Sequence, residues 1–420
     1  MYETFVLDNG LRVLMVPVPG IQSVSAGVFV AVGSRYESDE LGGASHFIEH
    51  MLFKGTARWP TARLLAEAIE GVGGLSNAYT DQELTVYYAK VAAAQAATAI
   101  EVLVDMARYP LFDEAEIEKE RAVIGEELNM VYDAPDEWLE VLVDQLLWPN
   151  HPLGRNVAGT EQSLTGLNRS RLTSFYQQHY HPQNLLIALA GAVEPDTLLP
   201  MLTDLLADWQ PADSPTFPAA PASQNITAWH IENRSIEQGH LGLALPGLPR
   251  THPNRYALNL LNAVLGDGMS SRLFQTIREE KGLAYAVDSS LTMLHDTGSL
   301  VIYAGVDPDR AVETVQTIQQ ELDRLCQEPI SEAELRKTKE YVKGRLILGL
   351  EDSYSQAAWV AYQAIFKDSI KTPQDVLEAY EAVTATDLQV IAQQIFRPDY
   401  QKLAAVGPFG RGEDLIRLTG

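Results

Sequence analysis

Gly42-Gly43-Ala44-Ser45-His46-Phe47-Ile48-Glu49-His50-Met51-Leu52-Phe53-Lys54-Gly55 places two histidines four positions apart around a glutamate, in the spacing H-x-x-E-H. On an α-helix, positions i and i+4 lie one turn apart on the same face. Both imidazoles then reach one ion. Glu49, three positions after His46, leaves that face too and points at a water on the ion. Two imidazoles and a carboxylate suit Zn²⁺ with one coordination position left open. The spacing therefore predicts a helix here that carries His46 and His50 as metal ligands and Glu49 as the base.

Such a site needs a third protein ligand, and Glu is a common choice in hydrolytic zinc enzymes. The richest source is Asp113-Glu-Ala-Glu-Ile-Glu-Lys-Glu120-Arg-Ala-Val-Ile-Gly-Glu126-Glu127-Leu128. It is made of strong helix formers with acids in its first turns, which the helix dipole favours. Glu120 and Glu127 are seven positions apart and share a face. On the residues alone, Glu120, Glu126 and Glu127 all stay open.

H-x-x-E-H reverses the H-E-x-x-H order and is the inverzincin signature. With the run Ile117-Glu118-Lys119-Glu120-Arg121-Ala122-Val123-Ile124-Gly125-Glu126-Glu127, it resembles the pitrilysin/insulinase/mitochondrial processing peptidase family of zinc metallopeptidases. The resemblance spans almost the whole chain. It takes in Leu7–Val13, a hairpin around Asn9-Gly10, and the strands 24–32, 84–91 and 185–191. It also takes in Gly73-Gly74-Leu75-Ser76-Asn77-Ala78-Tyr79-Thr80 and His179-Tyr180-His181-Pro182-Gln183-Asn184.

This resemblance implies that Glu127, 77 positions after His50 (127 − 50), is the third ligand. It implies that Glu120 supports the site from behind and leaves Glu126 solvated. It makes Asn77 and Ala78 part of an edge strand that binds substrate. In the second half, Arg278-Glu-Glu-Lys-Gly-Leu-Ala-Tyr285 is similar to a catalytic family pair that contacts substrate and whose Tyr helps stabilise the tetrahedral intermediate, with Arg278 and Tyr285 in those places. Read from the residues alone, they are a surface Arg and a half-buried strand Tyr.

The expected activity is zinc-dependent endopeptidase cleavage of peptides or unfolded segments in a closed chamber, with one Zn²⁺ per chain. The expected assembly is a homodimer, because this chain holds both the H-x-x-E-H motif and the Arg/Tyr pair. The alternatives are a non-catalytic assembly or chaperone-like subunit, and a zinc subunit that needs an unlike partner chain.

Asp208-Trp-Gln-Pro211-Ala-Asp-Ser-Pro215-Thr-Phe-Pro218-Ala-Ala-Pro221 is a proline-rich, extended stretch that splits the chain into near-equal parts. We expect a zinc domain over 1–210, a linker over 208–224 and a homologous, non-metallated domain over 225–420. The halves read as copies, with Glu114-Ala-Glu-Ile resembling Glu332-Ala-Glu-Leu at an offset of 218 (332 − 114). The same offset takes Glu127 to Arg345, a cation unable to ligate zinc. Strands alternating with amphipathic helices in each half predict an α+β fold of two homologous sandwich domains, each a sheet covered by helices. Gly266-Asp-Gly-Met-Ser lacks the Lys of a phosphate-binding loop and reads as a tight turn. His179 and His181, followed by Pro182, read as a structural turn.

The 420 residues carry a formal charge of −25, which argues against nucleic acid and anionic membrane as partners. No run of apolar residues is long enough to span a bilayer. The N-terminus shows no leader pattern. One cysteine, Cys326, excludes an intrachain disulfide and fits a reducing, cytoplasmic setting.

Overall fold

The computed structural model describes residues 2–222, 228–367 and 369–418. Among the described residues, eleven strands form two sheets. The first contains β1 (Glu3–Val6), β2 (Arg12–Pro17), β3 (Ser23–Val30), β4 (Leu75–Thr80), β5 (Thr85–Ala92) and β6 (Leu185–Gly191), in the order β1-β2-β6-β3-β5-β4. The second contains β7 (Ala228–Asn233), β8 (Gly239–Pro246), β9 (Ala284–Met293), β10 (Gly298–Val306) and β11 (Lys402–Gly407), in the order β7-β11-β8-β10-β9.

Without β1, the two orders coincide, and so do the strand directions. β2 runs parallel to β6 as β7 does to β11, and every other pairing is antiparallel. The duplication expected from the offset of 218 is thus a duplication of topology. The helices Glu114–Asp133 and Glu332–Gly349 start at the two residues that the offset relates.

The chain divides into two units. One comprises Met1–Asn129, Arg155–Pro218 and Leu348–Ile370; the other comprises Met130–Gly154, Ala219–Ile347 and Lys371–Gly420. Each therefore takes a segment from the opposite half of the sequence. In the first unit, one sheet face packs on Phe47, Ile48 and Met51 and on Ile100 and Leu103. The other face packs Phe29, Leu186 and Ala188 against Ala357, Val360 and Ala361 of the helix Ser353–Phe366. In the second unit, Leu139, Leu142 and Val143 of the helix Pro135–Leu147 cover Ala244, Ala404 and Val406.

A sheet covered on both faces has no solvated side. This is why β6 is apolar and buried at all seven positions instead of alternating. At its end, Gly191 has φ +118, and a Cβ there would lie 2.1 Å from the Ser23 carbonyl oxygen. Only glycine lets the strands approach so closely.

The Asn9-Gly10 turn closes β1 on β2 as expected, with Gly10 at φ +86 and its amide donating to Leu7 O. Within 208–222, the proline-rich stretch forms no helix or strand; 223–227 lie outside the described residues. A buried ion pair, Arg35 to Glu83 at 2.7 Å, ties the loop after β3 to the β4–β5 turn. Among the described residues, no helix is long and apolar enough to cross a membrane.

Candidate metal centre

The motif forms the helix Ala44–Leu52. At nine residues it is too short to be stable alone in water. Its inner stripe, Phe47, Ile48, Met51 and Leu52, is buried to 0–1% exposure. At about 1.5–3 kcal/mol for each such side chain, packing rather than intrinsic propensity holds this helix. The opposite face carries His46, Glu49 and His50.

The helix start is also specified. Gly43 caps it with φ +89, and a Cβ at that position would lie 2.5 Å from Ala158 O. The buried Glu37 carboxylate accepts from the amides of Gly43 (2.8 Å) and Ser45 (2.7 Å), satisfying donors the helix leaves open. Burial pushes this carboxyl up to about 7, against the pull of the two amides.

The helix Glu114–Asp133 brings Glu127 to this face. His46, His50 and Glu127 each offer one ligand atom, and the three atoms lie within 4.8 Å of one another. Glu127 Oε2 is 3.8 Å from His46 Nε2 and 3.6 Å from His50 Nε2. Tetrahedral zinc with bonds near 2.0–2.2 Å separates its ligand atoms by about 3.4 Å, so small side-chain movements would seat the ion. The donor set of two neutral nitrogens and a carboxylate fits Zn²⁺. Among the described residues, it is the one His/Cys/Asp/Glu group of this kind.

Glu120, 4% exposed, lies behind His50, with Oε2 3.0 Å from Nδ1. A carboxylate only accepts, so Nδ1 carries the proton and Nε2 keeps its lone pair for the ion. Lys54 Nζ is 2.6 Å from Oε1, the other oxygen of Glu120. Among the described residues, His46 has no such support: its Nδ1 is buried with no hydrogen-bond partner, and its ring meets that of His50 edge-on at 4.7 Å. Burial first, and then His50, lowers the His46 pKa to about 4, which keeps the imidazole neutral as a ligand must be. Glu126 is exposed.

Glu49 accepts a hydrogen bond from Thr80 Oγ1 at 2.5 Å. Burial raises its pKa, and Glu127 adds to the rise, while Thr80 and His50 oppose it. Thr80 ends β4, an edge strand of the first sheet. Asn77 and Ala78 lie on that strand with their side chains on opposite faces. Ala78 packs toward the core on the side of the motif helix, and its amide donates to Asn77 Oδ1 at 2.8 Å.

Arg278 and Tyr285 belong to the second unit. Arg278 sits on a π-helical turn, Phe274–Glu280, with its guanidinium 4.8 Å from the Phe274 ring centre and 5.2 Å from that of Tyr285. Tyr285, in β9, is 78% exposed, not half-buried as its strand setting implied. β9 is an edge strand of the second sheet. His179 and His181 are buried and take local partners, Phe175 O at 2.8 Å and Gln183 Oε1 at 3.3 Å.

Sequence reasoning passed over Glu37, Lys54 and Thr80. Lys54 follows His50 by four positions, a spacing that could have flagged it. Glu37 and Thr80 meet the motif only through tertiary contacts and carry no local signal.

A zinc protease of Bacillus subtilis (strain 168), named uncharacterized zinc protease YmxG, is 36% identical over 98% of this chain and 99% of its own. The chain belongs to peptidase family M16. The insulinase (peptidase family M16) domain matches residues 12–161, and the peptidase M16 inactive domain matches residues 166–342. The M16 motif and Glu127 fall in the first match, and Arg278 and Tyr285 in the second. The fold is shared with a protease from Helicobacter pylori, at TM-score 0.91 and 24% identity, covering 97% of this chain and 99% of that one. It is also shared with a peptidase M16 inactive domain protein from Pseudomonas fluorescens, at TM-score 0.90 and 18% identity, covering 97% and 98%.

Proposed function

We propose that this M16 protein is a zinc-dependent endopeptidase acting on peptides or unfolded segments. The observation that carries the reading is the meeting of His46, His50 and Glu127 beside Glu49. Bound there, Zn²⁺ supplies Lewis acidity that makes a water a competent nucleophile near neutral pH. Glu49 takes the proton from that water and delivers it to the leaving amine as the peptide C–N bond breaks. Glu120 holds His50 in the ligand tautomer. An extended peptide adds to the open edge of β4 at Asn77 and Ala78 through main-chain hydrogen bonds that tolerate many sequences.

Arg278 and Tyr285 take the family role of contacting substrate, with Tyr285 donating to the developing oxyanion. In support, the pair is in contact and the Tyr285 side chain is open to solvent. Tyr285→Phe should lower kcat more than it raises KM; the reverse pattern would make it a docking residue. We also propose a homodimer, which the size-exclusion mass of the purified chain checks.

A mixed peptide library tests the activity. Cleavage that a chelator stops and added zinc restores is the expected result. Cleavage indifferent to chelation would take the metal out of the chemistry, and zinc binding without any cleavage would favour the non-catalytic subunit.

A further inference from the structure

We infer that Thr80 is a positioning residue for the base: its hydroxyl fixes the Glu49 carboxylate, and so ties the proton-transfer group to the edge strand proposed to receive substrate. The inference rests on the endopeptidase reading and deepens it.

A glutamate base has three rotatable side-chain bonds, so something must hold it. Among the described residues, the Glu49 carboxylate takes its hydrogen bond from Thr80 Oγ1, at 2.5 Å to Oε2. The direction of that bond follows from its neighbours. Thr85, the β5 residue paired with Thr80, donates its own hydroxyl proton to Val32 O at 2.9 Å. Thr85 Oγ1 can then only accept, and it lies 3.4 Å from Thr80 Oγ1. The single Thr80 proton is thus offered a neutral hydroxyl at 3.4 Å or a carboxylate at 2.5 Å, and the shorter, charge-assisted bond takes it. Thr85 thus donates to Val32 O and Thr80 to Glu49, and the Thr85 hydroxyl does not compete for the Thr80 proton. This leaves the second carboxylate oxygen of Glu49 for the nucleophilic water.

Placement on β4 adds the second element. Thr80 and Ala78 are two positions apart and share one face of the strand, the face on which Ala78 packs toward the core. A peptide adding at the edge uses the backbone of β4, not this face. Loss of the hydroxyl should therefore disturb the base and spare the binding edge.

The experiment compares wild type, Thr80→Val and Thr80→Ser on one cleaved peptide, with zinc affinity measured by chelator competition and thermal unfolding recorded for each. Valine keeps the shape and β-branching that suit a strand, and serine keeps the hydroxyl. Thr80→Val should lower kcat about 10- to 100-fold, the scale of a displaced catalytic group, with KM and zinc affinity within about 3-fold of wild type. Thr80→Ser should recover most of the loss. A wild-type kcat in Thr80→Val, a loss that serine does not rescue, or a loss that tracks zinc affinity or unfolding would each overturn the inference. An active Thr80→Val overturns it alone. A zinc-loaded wild-type protein that cleaves nothing overturns the endopeptidase reading as well.

Discussion

Glu49→Gln is expected to retain zinc and to lose about 10²- to 10⁴-fold in kcat, the range attributed to a positioned acid–base group. The amide matches the carboxylate in size and can still accept from Thr80 through its carbonyl oxygen, so the helix and its buried stripe are undisturbed. What disappears is the ability to take a proton. Glu49 is not among the three groups whose ligand atoms converge, so the ion has no reason to leave. Metal analysis beside steady-state kinetics checks both halves of the expectation. Normal turnover would remove Glu49 as the base. Lost zinc would make it a ligand instead.

Glu127→Gln should do the opposite first and the same afterwards. Glu127 is the only anion in the converging set, and a neutral amide oxygen is a weaker ligand for a divalent ion. We expect zinc affinity to fall by more than about 100-fold, beyond the 10- to 100-fold that loss of a supporting residue costs. Activity should then return in part at high zinc. Glu120→Gln provides the scale, because Glu120 meets His50 from the side away from Glu127. Its loss should fall within the supporting range. Chelator competition on both variants checks the order; equal losses would mean that Glu127 is no more than a supporting group.

Much of this architecture was legible in the residues. The stripe Phe47, Ile48, Met51 and Leu52, set against His46, Glu49 and His50, specifies a helix with one buried and one chemical face. The helix Glu114–Asp133 announces itself by composition, and the offset between Glu114 and Glu332 exposes the duplication. The choice of Glu127 over Glu120 and Glu126 came from family resemblance, because all three acids suit a helix equally and periodicity cannot say which one meets a distant imidazole.

The exchanged helices were not legible. The apolar stripes of Pro135–Leu147 and Ser353–Phe366 show that each must be buried, but not which sheet receives it. That choice depends on surfaces formed by residues more than a hundred positions away, such as Ala244 and Ala404 for Leu139. The supports of the site escaped for the same reason. Thr80 meets Glu49 across 31 positions, and Lys54 meets Glu120 only once two helices have packed. A hydroxyl at the end of an edge strand is unremarkable until the carboxylate it holds is in view.

A crystal of the wild-type protein grown with zinc, with anomalous scattering used to locate the ion, tests the central claim most directly. The expected result is one ion per chain, bonded at about 2.0–2.2 Å to His46 Nε2, His50 Nε2 and a Glu127 oxygen, with a water in the fourth position and Glu49 beside it. An ion held elsewhere, or Glu127 turned away from the two imidazoles at full zinc, would contradict it.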